Sequence, residues 1–212
     1  MTPILICIKT NSVRCPNKNY ELLPDVLNWC ERNNIINQIS IISDSSKFKD
    51  ITCNFDILDY HIENRDDSWD DLVSSYKYCT EKNYESFILL PVTQPLRDET
   101  LVRRVLECDL GDCDLVTSYT IIANRNIFEL SDDLESFKIQ NSIRKGSMCK
   151  EMKIADGAIY YTTTKFLDKC FKSGNMNYTF WNSNIEFVEN RAPFIDIDTP
   201  FDLEKYKKYF KI

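Results

Sequence analysis

Lys9, Arg14 and Lys18 fall within one short polar stretch, Lys9 to Asn19, together with the hydroxyls of Thr10 and Ser12 and the amides of Asn11, Asn17 and Asn19. Lysine and arginine neutralise phosphate charge while hydroxyls and backbone N–H groups orient the oxygens, so this set suits a triphosphate. The same composition also describes a solvated connecting loop. Near the other end of the chain, Ile195-Asp196-Ile197-Asp198 sets two carboxylates one residue apart. On an extended segment both point the same way, and hard oxygen ligands so placed suit a magnesium ion that also takes phosphate oxygens. The competing reading is that these acids only precede and cap the helix that follows, work that Asp202 can do without them. A third stretch, Leu89 to Arg97, runs into a turn with two prolines and ends on Arg97. That arginine either clamps a carboxylate or phosphate or bonds carbonyls at the turn.

The elements that must position these residues follow from apolar spacing. Pro3 to Ile8 is a nearly continuous apolar run, as a strand buried on both faces requires. Leu22, Leu23, Val26, Leu27 and Cys30 recur at helical spacing within Tyr20 to Arg32. Ile35 to Ile42 and Phe55 to Tyr60 are predicted strands, Asp70 to Lys82 a helix, and Ser86 to Leu90 a strand. Asp98 is predicted to start a helix through Leu101, Val105 and Leu106, ahead of a strand at Asp114 to Thr120. Such alternation predicts a mostly parallel sheet with helices on both faces. From Ile121 to Ala155 the pattern turns polar and weakly periodic, and it is read as an excursion from the sheet. Regularity returns with a strand at Gly157 to Thr162 and a helix at Thr164 to Lys172. Strand-like pieces follow at Tyr178 to Trp181 and Ile185 to Val188. A last helix spans about Pro200 to Phe210, with Thr199 as its N-cap and Pro200 at its first position.

Composition narrows the classes. The 212 residues fit one domain, or one domain with a sizeable insertion, and 43% hydrophobic content with 12% aromatics supplies a substantial core. A net charge of −7 argues against general nucleic-acid binding, which needs a basic face. No apolar run approaches the roughly 20 residues that cross a bilayer. The opening MTPILICIKT lacks a basic flank and a cleavage site, so it reads as a strand and not a signal peptide. Nine cysteines without a C-x-x-C pair, and one histidine, His61, point to reduced thiols of a cytoplasmic protein. Cys15, inside the cationic stretch, is the thiol to watch.

Taken together and in order, these stretches resemble the acylneuraminate cytidylyltransferase family, the CMP-sialic acid synthetases. The family signature I-P-A-R-x-G-S-K-R-x-P-x-K-N is matched in its second half by Ser12-Val-Arg-Cys-Pro-Asn-Lys-Asn19, with Lys9 where the family has arginine. Q-P-T-S-P-L-R corresponds to Pro91-Val-Thr-Gln-Pro-Leu-Arg97, N-G-A-I-Y to Asp156-Gly-Ala-Ile-Tyr160, and I-D-I-D to Ile195-Asp-Ile-Asp198.

The resemblance implies a Rossmann-like, three-layer nucleotide-diphospho-sugar-transferase fold and magnesium-dependent transfer of CMP from CTP to the anomeric hydroxyl of a nonulosonic acid. It implies CTP contacts from Lys9, Ser12, Arg14, Lys18, Asn19, Thr93 and Arg97, with Arg14, Lys18 and Asp198 at the reacting phosphate. It implies sugar contacts from Gln94, Arg97, Asp156 and Tyr160, magnesium on Asp196 and Asp198, and a homodimer formed through the 121–155 excursion. Departures accompany the match. Thr10 and Asn11 occupy the place of the family's first loop glycine, although asparagine tolerates left-handed backbone. Pro91 replaces a substrate-contacting glutamine, and Asp156 replaces an asparagine. A segment R-P-x-x-L-A-x-D is reduced to something like Asn64 to Ser68. Two competing readings follow: a nucleotidyltransferase for another sugar or a sugar or polyol phosphate, and a lapsed family member acting as a binding or regulatory partner.

Overall fold

Alternate residues of the first strand face two separate cores. In β1 (Ile4–Ile8), Ile4, Ile6 and Ile8 point into one cluster while Leu5 and Cys7 point into the other, and all five are buried. That two-sided burial explains why the run carries no polar residue. The computed structural model describes residues 2–64, 70–124, 128–130, 137–139 and 150–210.

A seven-stranded sheet forms the middle layer. Its order is β3 (Asp59–Ile62), β2 (Ile39–Ser43), β1, β4 (Ser86–Leu89), β8 (Lys150–Thr163), β5 (Leu115–Asn124) and β9 (Ile185–Glu189). All neighbours run parallel except β8, which is antiparallel to β4 and to β5. On one face α1 (Lys18–Arg32), α4 (Leu101–Leu106) and α7 (Pro200–Tyr209) bury Leu22, Leu23, Val26, Val105 and Leu203. On the other, α3 (Asp71–Lys82), α5 (Thr164–Lys172) and α6 (Met176–Trp181) bury Tyr78, Cys79, Phe166, Leu167 and Phe180. A short α2 (Lys49–Thr52) follows β2. Two small strands, β6 (Phe128–Leu130) and β7 (Phe137–Ile139), pair as a separate antiparallel ribbon. No helix among the described residues is long and apolar enough to cross a membrane.

The predicted excursion is partly regular. β5 and β8 continue beyond the sheet as a two-stranded ribbon, with Thr120 opposite Ile154 and Asn124 opposite Lys150, after a register shift between Thr117 and Tyr119. β9 stops pairing at Tyr119, so past that point the ribbon has no third strand. Weak periodicity there hid the strands, whose pairing is fixed by the backbone ladder.

Several predicted limits move. Tyr178 to Trp181 is not a strand but lies in helix α6, which Asn175 caps by accepting from Tyr178 N at 3.2 Å. Packing of Phe180 against Phe166 overrides the strand preference of the aromatic run. Ile36–Gln38 is a 3-10 turn ahead of β2, and β3 begins at Asp59 instead of Phe55. Helix α4 begins at Leu101, because Asp98 forms a turn that holds Thr100 N at 3.0 Å. The cap on α7 is as the sequence indicates: Thr199 and Asp202 form a reciprocal capping box with Pro200 at the start.

Gly157 has φ +65, and a Cβ built there would stand 2.9 Å from the Tyr160 hydroxyl. A side chain in left-handed backbone costs roughly 1–2 kcal/mol before any clash. Gly157→Ala is therefore expected to lower Tm by several degrees in differential scanning calorimetry, at about 2–4 °C per kcal/mol for a chain of this size. An unchanged Tm would show that this turn is not constrained.

Candidate active site

Parallel strands deliver their following loops to one edge of the sheet, and ligands in such folds settle outside those carboxyl ends. The loop after β1 is tied down at three points. Asp44, just past β2, accepts from Thr10 N at 2.9 and 3.1 Å and from Thr10 Oγ1 at 2.7 Å. The buried Asn19 donates its amide to the Lys9 carbonyl at 2.9 Å. Ser12 Oγ accepts from Cys15 N at 3.4 Å. The loop then enters α1 through Asn17, whose φ of 63 is left-handed. Among the described residues Asn17, Asn34 and Asn83 take positive φ without being glycine. The left-handed position thus falls on Asn17 and not on Asn11.

The loop and the distant acid pair meet. Lys18 is buried, and its Nζ donates to the Ile197 carbonyl at 2.6 Å and pairs with Asp198 Oδ1 at 3.2 Å. Arg14, largely in solvent, reaches Asp198 Oδ2 at 2.8 Å. Thr93 accepts from Ile197 N at 2.9 Å, which stitches the loop after β4 to the same segment. Together Lys9, Ser12, Arg14, Lys18, Thr93 and Asp198 line a cavity of about 270 Å³, whose wall also includes Asn19.

Ile195 and Ile197 are buried while Asp196 is exposed and Asp198 half-buried, so the extended segment turns both carboxylates away from the core. Although Asp196 is exposed as a residue, its carboxyl end is partly shielded. That burial, and the adjacent charge of Asp198, push its pKa up, with Lys18 and Arg14 opposing. Two acids that repel one another gain from a cation between them. Among the described residues no group of three or more His, Cys, Asp or Glu is arranged to hold a metal ion. What the segment presents is Asp196 and Asp198, oxygen donors of the kind that magnesium takes when phosphates and water complete its shell.

Other expected contacts lie elsewhere. Arg97 is buried against Trp29 and donates Nε to the Ala158 carbonyl at 2.7 Å and Nη2 to the Pro91 carbonyl at 2.6 Å. It is the carbonyl-bonding arginine of the turn, not a clamp on a bound anion in this cavity. Burial lowers its pKa to about 10, so it keeps its charge at neutral pH. Its Nη1 is buried without a partner. Asp156 is buried too, accepting from Ser118 Oγ, from Asn190 Nδ2 at 2.7 Å and from Ala158 N at 3.1 Å. Satisfied from three sides, it lines neither this cavity nor the neighbouring one and braces β5, β8 and the segment after β9. Gln94 is buried behind the loop, near Gly157. Tyr160 is half-buried and faces the neighbouring cavity. Cys15 is packed in the core below the loop, and burial raises its pKa. The Asn64 to Ser68 segment is described only at Asn64, and its remainder lies outside the described residues.

Sequence reasoning missed two acids. Asp44 anchors Thr10, and Asp71 lines the cationic cavity. Asp70 does cap α3, accepting from Leu72 N at 2.8 Å. Nothing in the spacing separates that capping acid from the cavity-facing one beside it.

The chain matches no protein-family model and no curated protein. Its fold recurs in solved structures. HddC from Yersinia pseudotuberculosis complexed with GMP-PN superposes with a TM-score of 0.64 at 17% identity, over 100% of both chains. A CMP:2-keto-3-deoxy-manno-octonic acid synthetase complexed with CTP gives 0.68 at 17% identity, over 98% of this chain and 97% of that one. A 4-diphosphocytidyl-2C-methyl-D-erythritol synthase from Anaerococcus prevotii gives 0.65 at 14%, over 100% and 99%. The architecture is therefore the three-layer α/β fold that these proteins share.

Since Asp156 is a brace, Asp156→Ala should strand Ser118 and Asn190 and cost about 2 kcal/mol of stability. Urea unfolding is expected to show that loss while CTP affinity, measured by calorimetry, stays within twofold of wild type. A large affinity loss at full stability would instead return Asp156 to the ligand site.

Proposed function

We propose that this protein is a magnesium-dependent nucleotidyltransferase that moves CMP from CTP to a hydroxyl of a sugar or related polyol, releasing pyrophosphate. The observation that carries the reading is the meeting of Lys18 and Arg14 with Asp198 in one cavity, across 180 residues of chain. Such a site sets cations suited to phosphate beside Asp198, one of the two carboxylates proposed for a divalent ion, while Asp196 lies outside the cavity wall. The CTP complex of the structurally similar octonic acid synthetase supports the choice of nucleotide. The resemblance of the motifs supports an acidic acceptor of the nonulosonic type.

The chain's own groups account for most of the work. Lys18, fixed by the Ile197 carbonyl and Asp198, and Arg14, on the solvent side, offset triphosphate charge. Ser12, Thr93 and the loop N–H groups orient the oxygens. Magnesium, when held on Asp196 and Asp198, would screen the phosphates and polarise the α-phosphorus. A hydroxyl oxygen then attacks in line and pyrophosphate departs. No histidine is required, and His61 lies on the edge strand β3. A second reading of the donor rests on HddC, whose complex holds GMP-PN; it changes the base and keeps the chemistry. The ribbon of β5 and β8, with Ile121 and Met152 exposed, is proposed as the surface of a homodimer.

The test is pyrophosphate release with each of the four nucleoside triphosphates, magnesium and a panel of sugars. CTP is expected to give the highest rate. Asp198→Ala should reduce release at least a hundredfold while far-ultraviolet dichroism stays native. Normal turnover by that variant would remove the metal site, and failure of every triphosphate to bind would remove the transferase reading.

A further inference from the structure

A second cavity, of about 380 Å³, opens beside the cationic one, between the start of α3, the ends of β4 and β8, and α6. Asp70, Asp71, Leu89, Tyr160, Phe180 and Trp181 form most of its wall. Asp71 lines both cavities, and it is the residue their walls share. The characters of the two differ. Three cations line the first, while the second is lined by Asp71, the α3 cap Asp70 and an aromatic wall. Trp181 is about half exposed and meets Tyr160 and Phe180 edge to face, at 6.3 and 5.2 Å between ring centroids. Burial, followed by the charges of Asp156, Asp196 and Asp71, raises the Tyr160 hydroxyl to about 12, so it stays a donor at neutral pH.

A flat apolar surface facing polar acceptors is what a pyranose ring needs. Its C–H face packs on an aromatic ring and its hydroxyls donate to carboxylates. Charge decides among sugars. A nonulosonic acid carries its carboxylate on the carbon that bears the attacking hydroxyl, which would bring a second anion beside Asp71. Like charges that close in a partly buried site disfavour binding by tenfold or more.

We propose that this second cavity is the acceptor subsite, that it takes a sugar or polyol with no anionic group at the reacting end, and that Asp71 accepts the proton of the attacking hydroxyl. The proposal rests on the nucleotidyl-transfer reading above and replaces the nonulosonic acceptor that the motifs suggest. In the step, the hydroxyl oxygen's lone pair forms the new bond to the α-phosphorus. The bond from that phosphorus to the bridging oxygen breaks, and its electron pair leaves with pyrophosphate. The proton passes to the Asp71 carboxylate and from there to water.

Two measurements test it on the full chain. Saturation-transfer NMR, with the non-hydrolysable CTP analogue CMPCPP and magnesium present, is run on neutral hexoses, hexosamines, hexuronic acids and nonulosonic acids. Signal is expected from neutral or amino sugars, and it should be lost in Trp181→Ala. Signal confined to the nonulosonic acids, or unchanged in that variant, overturns the subsite. In pyrophosphate assays Asp71→Asn should lower kcat at least a hundredfold with CTP Kd unchanged, and Asp71→Glu should recover part of that loss. Wild-type turnover in Asp71→Asn, or a loss of CTP affinity in its place, overturns the role given to Asp71. Binding of CMPCPP by wild type with no sugar signal defeats this inference alone, whereas no binding of CMPCPP defeats the transferase reading as well.

Discussion

Asp198 sits between two cations from the far end of the chain, and the candidate site depends on that arrangement. Lys18 approaches from the buried side and Arg14 from solvent. Remove the acid and the buried ammonium keeps only the Ile197 carbonyl, at a cost that solvent in the cavity holds to about 1 kcal/mol. The Ile197 carbonyl and the bond from Ile197 N to Thr93 hold the same segment in place. Loops after β1 and β4 and the approach to α7 are thereby fixed as one unit.

The sheet makes this possible. β1 and β4 are neighbours and parallel, so their following loops emerge side by side. Helix α7 returns over the same face as α1, with Leu203 and Tyr206 in the core that Leu22, Leu23 and Val26 also fill. Its capping box sets the direction in which Ile195 to Asp198 enters. β8, the one antiparallel strand, carries Tyr160 up to the same edge and gives the second cavity one wall.

Much of this was legible in the sequence. β1 could be read because burial on both faces removes polar residues, and the last helix because Thr199, Pro200 and Asp202 are local signals that tertiary structure did not override. The cationic loop and the acid pair were legible by residue type, and the structure brings them together. What could not be read depends on contacts without local spacing. Arg97 and Asp156 sit in motifs that suggest ligand contacts, yet packing turned both inward, onto carbonyls and onto Ser118 and Asn190. Trp181 looked like part of a strand because an aromatic run has no periodicity of its own. Asp71 follows a capping acid, and only the position of α3 beside two cavities distinguishes it.

The buried placement of Lys18 has one more consequence. Asp198 already partners Lys18 and Arg14, two of the three cations in the cavity wall that a phosphate would seek. An anion entering alone must break that pairing and leave the carboxylate uncompensated, so inorganic phosphate or sulfate gains little here. A triphosphate that arrives with its own divalent ion exchanges partners on both sides at once. On the proposed reading, the site would therefore favour the chelated triphosphate over simple anions without any contact to the base.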